Sequence, residues 1–431
     1  MTTPPPRSRR LDHSYSTVAH PGGCVHDPRI TTLPSAGRTA RFGGPLSLAG
    51  AGRHATLRAE VIRDVGSLRA LETGWREAAA VSGNLFVTPD WYLQHFDAHP
   101  ADRPAVVAVR NEGGHVVAVI PLVDDGRSVR FAGAAFGDRF GAVVLDRSAL
   151  DPLSAWRLAS PVLRRIAEKR LIVLDRMDSA ARPRVPGAFT FVEASDVLPY
   201  ISLRSVTWEE WLAQRSGNFR SQIGRKQKRL ERAADVRFVE VRDPAAAGAA
   251  LRAHFDLHYR RRETMGDGSS LASPAARRFH FGLVDRLAAR GWLRLWLLKC
   301  DEVPVASWYG WRIGPCYAYY QAGFDPGWSD YSPGMLLMIK TVAAAFEEGA
   351  EEYDLLLGDE QYKQRFTADE RRVQTTVIGR GTSPSFLGAY GLAGMRRVYR
   401  LLPGDVRSLT GRAVAPRLRP SSSGRLQQGQ D

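Results

Sequence analysis

The sequence predicts an α/β protein of the α+β kind: two consecutive halves, each a mixed, mostly antiparallel sheet flanked by helices, set between two basic tails. Its length of 431 residues suits two or three compact units at roughly 100–200 residues each. Hydrophobic residues make up 44% and charged residues 24%, the balance of an ordinary globular chain. Strand-type and helix-type apolar periods alternate only in the middle of the chain. The expected divisions are a disordered basic tail (1–57), a first half (58–205), a second half (206–382), and a short helix followed by a second disordered basic tail (383–431).

In the first half, Val65–Ala80 and Pro89–His99 carry helical patterns, with Pro89 suited to a first helical position. Ala105–Arg110, His115–Leu122 and Val129–Ala132 are β-rich, and the turn chemistry of Asn111–Gly114 predicts a hairpin between the first two. Leu153–Lys169 is helical, Leu171–Leu174 is a buried-strand run, and Pro183–Pro186 is a break. The second half opens on Thr207 with Glu210 three residues on, a capping box. A basic helix continues to about Leu230, and Ala247–Arg262 and Pro274–Ala289 are two more helices. The strands Leu293–Lys299, Val303–Arg312 and Cys316–Phe324 follow on short connections that favour antiparallel pairing. Ser332-Pro333-Gly334 then starts a helix that Gly349 ends, with Ser332 placed to cap it. Tyr353–Leu357 and Val373–Ile378 are the last strands, and strand–helix–strand here implies one parallel pair.

The net charge of +15 resembles a nucleic-acid signature until it is located. Residues 1–58 and 380–431 together hold seventeen arginines against four aspartates, so the excess sits in the ends rather than on a folded face. Such tails are either solvated or in non-specific contact with anionic polymers. No run of about 18 apolar residues is present to span a membrane, and no apolar segment follows the first arginines to make a secretory signal. Three cysteines (Cys24, Cys300 and Cys316) cannot form a disulfide framework or a C-x-x-C zinc site, so a reducing, cytoplasmic location is expected.

Nucleotide-binding and nucleophile-elbow motifs are missing: there is no G-x-x-x-x-G-K-[ST], no G-x-G-x-x-G after a strand and no G-x-S-x-G. What remains is the helix N-terminus at Gly334, whose unpaired amides and dipole suit a pyrophosphate, and where glycine lets a ligand approach the backbone. His254 and His258 stand at i, i+4 but lack the glutamate of H-E-x-x-H, and no metal is expected. Cys300 and Cys316 read as buried strand residues rather than nucleophiles.

The element order of 292–380 resembles the GNAT N-acyltransferases, in which acyl-CoA lies between two splayed parallel strands. Tyr331-Ser332-Pro333-Gly334, spaced before Gly358-Asp359-Glu360-Gln361-Tyr362-Lys363-Gln364-Arg365-Phe366, is similar to the CelD/BcsL-like (BioF-like) branch. So are Gly137-Asp138-Arg139-Phe140 and the helix bearing Arg220, Arg225, Lys226, Lys228 and Arg229. The resemblance covers about 60–380 and implies tandem GNAT-like halves, akin to Fem peptidyltransferases.

The resemblance implies an acyl-CoA co-substrate, most simply acetyl-CoA, held by Tyr331, Ser332, Gly334 and Met335, with backbone N–H groups around Gln321 and Gly323 for the oxyanion. Asp359 and Glu360 follow a strand's C-terminal end and either accept the amine's proton or cap a helix. Tyr362 either protonates the leaving thiolate or packs. Lys363, Arg365 and Arg225 are candidate anion binders, and Asp138 and Tyr319 candidate acceptor-side residues. Tyr317 and Tyr319 share a strand face that lines either a cleft or a core.

Three functions follow. The first is an N-acyltransferase acting on a primary amine of a small molecule, sugar or peptide. The second keeps the fold but takes aminoacyl-tRNA as donor, which the basic helix favours. The third is a non-catalytic module of polysaccharide or cell-envelope synthesis. The sequence leaves the acceptor and the oligomeric state open.

Overall fold

A computed structural model describes residues 57–401 except Arg182, 265–270 and Ala272; Cys24 and most of both expected tails lie outside the described residues. The first half comprises β1 (Arg58–Ile62), α1 (Val65–Val81), α2 (Pro89–Ala98), β2 (Arg103–Pro104), β3 (Val106–Arg110), β4 (Val116–Ile120), β5 (Leu122–Asp124), β6 (Ser128–Phe131), β7 (Val143–Val144), α3 (Pro152–Ala167), β8 (Leu171–Asp178) and β9 (Phe189–Ser202). The second half adds α4 (Trp208–Ala213), α5 (Gly217–Ala233), β10 (Val236–Val241), α6 (Pro244–Thr264), α7 (Pro274–Ala289), β11 (Leu293–Cys300), β12 (Val303–Ile313) and β13 (Cys316–Phe324). It closes with α8 (Pro333–Glu347), β14 (Glu352–Asp354), α9 (Gln361–Gln364), β15 (Glu370–Gly379) and α10 (Pro384–Leu401).

Local chemistry explains many boundaries. Thr88 accepts from the Trp91 amide with Pro89 at the first helical position, and Thr207 and Glu210 complete their capping box. The expected strand 115–122 is two strands, because Pro121 has no N–H to donate; the chain changes sheet there. Five strands lack a sequence expectation: the two-residue β2 and β7, β1, β10 and the 14-residue β9.

A four-stranded sheet runs β1-β3-β4-β7, and an eleven-stranded sheet runs β10-β11-β12-β13-β14-β9-β15-β8-β6-β5-β2. Pairing is antiparallel except for one parallel pair in each half, β6 with β8 and β13 with β14. The mixed sheets of the two halves are joined by an exchange. β9, from the first half, lies against β14, while β15, from the second, lies against β8. β9 and β15 pair with each other from Pro199↔Glu370 to Phe189↔Gly379.

One core cluster spans both halves, with Phe86 and Trp91 packing against Trp311 and Phe279. A second packs α4, α5 and α8 on the other face of β11–β13, around Trp296, Trp308, Tyr317 and Tyr353. Cys300 and Cys316 are buried strand residues.

Candidate active site

β13 and β14 pair over only three positions, ending at Ala318↔Asp354. Past that point the chain after β14 bonds to β9 instead, Leu355 N–H donating to Pro199 O at 3.0 Å and Gly358 N–H to Val197 O at 3.2 Å. Leu356 (φ 54°) and Gly358 (φ 123°) make the turn. Residues 319–324 of β13 are therefore left without a partner from β14, and the two strands diverge.

A bulge in the β12–β13 ladder divides the residues of that open stretch. Tyr309 pairs with Gln321 and Gly310 with Tyr319, so Tyr320 is the extra residue. Tyr319 faces the Trp308 cluster, and Tyr320 packs with Tyr309 on the α6–α7 side, so Tyr317 and Tyr319 share a face as the alternation predicts. Gln321 lies beside His254 of α6. A Cβ on Gly323 would sit 2.5 Å from the His258 amide nitrogen, so this glycine is required by the close approach of α6.

At the head of α8, Ser332 differs from its expected role. Its backbone is left-handed (φ 52°, ψ 53°), and its side chain makes no capping hydrogen bond. Its hydroxyl instead accepts from the Lys226 ammonium, reaching across from α5. The first-turn amides thus keep no side-chain acceptor, Pro333 contributes none, and a Cβ on Gly334 would meet only Phe324, at 3.6 Å. Met335 N–H donates to the Ser332 carbonyl at 3.1 Å. The equivalent helix of the first half, α3, is closed by Asp151, whose carboxylate accepts from Leu153 and Ser154.

Cations gather around the open helix end. The Arg229 guanidinium lies 5.0 Å over the Tyr331 ring, Arg261 4.7 Å over Phe324 and Arg365 5.2 Å over Phe219. Burial first, then the charges of Arg365, Arg229 and Arg225, hold the Lys226 ammonium below its ordinary pKa, against the opposing pull of Asp330. Lys226 follows Ile223 and precedes Leu230 on the packed side of α5, which is the signal that separates it from its solvated neighbours.

Tyr362 brings its hydroxyl to 3.4 Å from that of Tyr319. Burial pushes the Tyr362 phenol well above its ordinary pKa, with Tyr319 and Glu360 adding to the effect, so it stays protonated. Asp359 is exposed, whereas Glu360 pairs with the Lys363 ammonium at 2.9 Å. Lys363, expected to bind an anion, is buried and also donates to the Leu357 carbonyl at 2.7 Å, so it fastens the turn. Asp138 is buried too, and accepts from the Leu357 amide at 3.3 Å, tying the first half to the same turn. The expected residues therefore form two groups. Tyr331, Ser332, Gly334, Met335, Arg225 and Arg365 lie on the α8 side, and Asp138, Asp359, Glu360, Tyr362 and Lys363 lie on or against the 357–363 turn.

Among the described residues, Cys316, Glu352 and Asp354 bring ligand-type atoms within 4.8 Å of one another. Arg371 donates to both carboxylates and Arg139 lies 3.9 Å from Asp354, so two guanidinium charges face the two carboxylates. The His254 ring bonds the Ser307 hydroxyl through Nδ1 at 3.0 Å.

A splayed parallel strand pair beside an open, cation-ringed helix N-terminus is the arrangement of a GNAT-type fold, and residues 217–364 match the family described as Acetyltransferase (GNAT) domain. Among solved structures, FemX is 12% identical with a TM-score of 0.52, covering 76% of this chain and 99% of that one. L-PGS from Bacillus licheniformis is 13% identical with a TM-score of 0.47, covering 77% and 96%. A tandem GNAT protein from the clavulanic acid biosynthesis pathway is 11% identical with a TM-score of 0.38, covering 76% and 100%. For FemX the likeness is one of fold. The comparison with curated proteins returned no match.

Proposed function

We propose that this protein is an acyl-CoA-dependent N-acyltransferase, with acetyl-CoA as the simplest donor and a primary amine as acceptor. The observation that carries the reading is the gathering of Lys226, Arg229, Arg261 and Arg365 around an α8 N-terminus that no side chain caps. The donor's pyrophosphate binds there, and its acyl arm lies along the open edge of β13. The amine enters the cleft, loses its proton to Asp359 or Glu360, and attacks the thioester carbonyl. Backbone N–H groups near Gln321 and Gly323 hold the oxyanion. As the carbonyl re-forms, the C–S bond breaks and the thiolate takes the Tyr362 proton. Asp138 and Lys363 position the turn that carries these groups.

Calorimetry with acetyl-CoA tests the donor. Saturable binding is expected in the parent protein and in Gly334→Ala, which has room for the added Cβ, and loss is expected in Gly334→Glu, which sets a carboxylate at the anion site. Unchanged binding in Gly334→Glu refutes the site.

A second reading, aminoacyl-tRNA as donor, draws on the exposed Arg220, Arg225, Lys228, Arg229 and Arg232 of α5. It requires saturable tRNA binding that falls steeply with salt. Silence toward both donors favours another acyl donor or the non-catalytic module.

A further inference from the structure

We propose that His254, Tyr309 and Gln321 form the seat for the acceptor amine, and that they select an uncharged amine with a neutral oxygen on the neighbouring carbon, as in an amino sugar. Such a seat rests on the acyltransferase reading above and gives its second substrate a chemical class. The three residues meet on the α6–α7 side of the sheet, one each from α6, β12 and β13. Tyr309 and Gln321 are direct partners in the β12–β13 ladder, and the His254 ring stands 5.6 Å from that of Tyr309. Exposure is 0% at His254 and Tyr309 and 7% at Gln321. Yet His254 Nε2, the Tyr309 hydroxyl and Gln321 Oε1 make no hydrogen bond among the described residues. Buried polar atoms are almost always paired, so three unpaired ones on adjacent side chains point to a polar ligand.

The donors and acceptors identify that ligand. His254 Nδ1 bonds Ser307 Oγ at 3.0 Å, and this hydroxyl donates its one proton to the Gly323 carbonyl at 3.5 Å. The ring therefore gives its N–H to Ser307 and keeps a bare lone pair at Nε2. Burial holds the ring neutral, with its pKa depressed from 6.5 to about 4. Nε2 and Gln321 Oε1 are then two acceptors. They match the two N–H groups of an uncharged primary amine and leave its lone pair free to attack. An ammonium would bring a charge and a third N–H into a buried neutral site, and a carboxylate next to the amine would face these acceptors unpaired. The Tyr309 hydroxyl, which burial keeps protonated, is the donor for the neighbouring oxygen. Gln321 lies in the stretch of β13 that β14 leaves unpaired, beside the proposed oxyanion donors, so the seat adjoins the thioester carbonyl of the mechanism above.

Calorimetry on the full chain separates the seat from the donor site. Acetyl-CoA reads the donor site, and serinol and glucosamine, titrated with and without it, read the seat. Both amines are expected to bind. Serine, in which a carboxylate replaces one hydroxymethyl of serinol, is expected to bind at least about tenfold more weakly. Tyr309→Phe and Gln321→Met should each weaken serinol and glucosamine binding about tenfold, the size of one lost hydrogen bond, with acetyl-CoA affinity unchanged. Because the Tyr309 hydroxyl has no partner to lose, Tyr309→Phe should keep or raise the melting temperature. Absence of acetyl-CoA binding with amine binding intact would refute the donor and leave the seat standing. No binding of serinol or glucosamine, variants that bind them as the parent does, or serine bound as well as serinol would overturn the seat. So would a lower melting temperature of Tyr309→Phe with amine binding unchanged, the mark of structural water at these atoms.

Discussion

Replacing Lys226 with methionine keeps most of the side chain's packing between α5 and the head of α8 and removes the cation that reaches Ser332. A hydrogen bond to a charged partner contributes about 1.5–3 kcal/mol, so acetyl-CoA affinity should fall about 10- to 150-fold. Lys226 also gives binding a pH signature. Burial and three arginines depress its ammonium from 10.5 in the free protein, and a bound phosphate favours the charged form again. Binding should therefore take up protons on the alkaline side and weaken as pH rises through the depressed free-state value. Calorimetry in two buffers of different ionisation enthalpy reads that uptake directly. Lys226→Met should remove it, whereas Arg232→Met, on the exposed side of the same helix, should keep it. Equal affinity and equal proton uptake in Lys226→Met and the parent would refute the anion-site reasoning.

Tyr362→Phe should lower turnover about 10²–10⁴-fold with donor affinity unchanged, and parent-like turnover in a thiol-release assay would exclude Tyr362 as the acid. Lys363→Met leaves Glu360 and the Leu357 carbonyl without their partner, and should cost about 3–5 kcal/mol in denaturant unfolding. His254 is buried and desolvation depresses its pKa from 6.5 to about 4, so the folded state favours the neutral ring. Stability should then drop by up to about 3 kcal/mol as pH falls from 6.5 to about 4, and His254→Gln should flatten that part of the profile.

The parts of this architecture set by local chemistry were legible in the sequence. The capping box at Thr207, the hairpin at Asn111–Gly114 and the α8 boundaries at Pro333 and Gly349 are fixed by residues close together in the chain. β9 escaped because its partners are β14 and β15, 150 residues or more away, and its sequence shows no clean alternation. Ser332 shows the limit at a single residue. Ser-Pro before an apolar helix implies a cap, but a tertiary hydrogen bond to Lys226 and a left-handed backbone turn that hydroxyl elsewhere. At Lys363, the acid three residues before it was the available sign of an internal ion pair. The point where β14 parts from β13 was not legible, because it depends on the bonds β14 and the following turn make to β9.

The exchange of β9 and β15 also bears on how the chain is made. β8 is complete at Asp178, yet the strand that covers its edge ends at Gly379 and emerges from the ribosome some two hundred residues later. At roughly 5–20 residues per second, the first half waits on the order of ten seconds or more with a sheet edge uncovered. During that interval the edge is open to pairing with another nascent chain. Expressed alone, residues 58–205 should keep that edge exposed and aggregate, so the two halves are expected to fold as one unit.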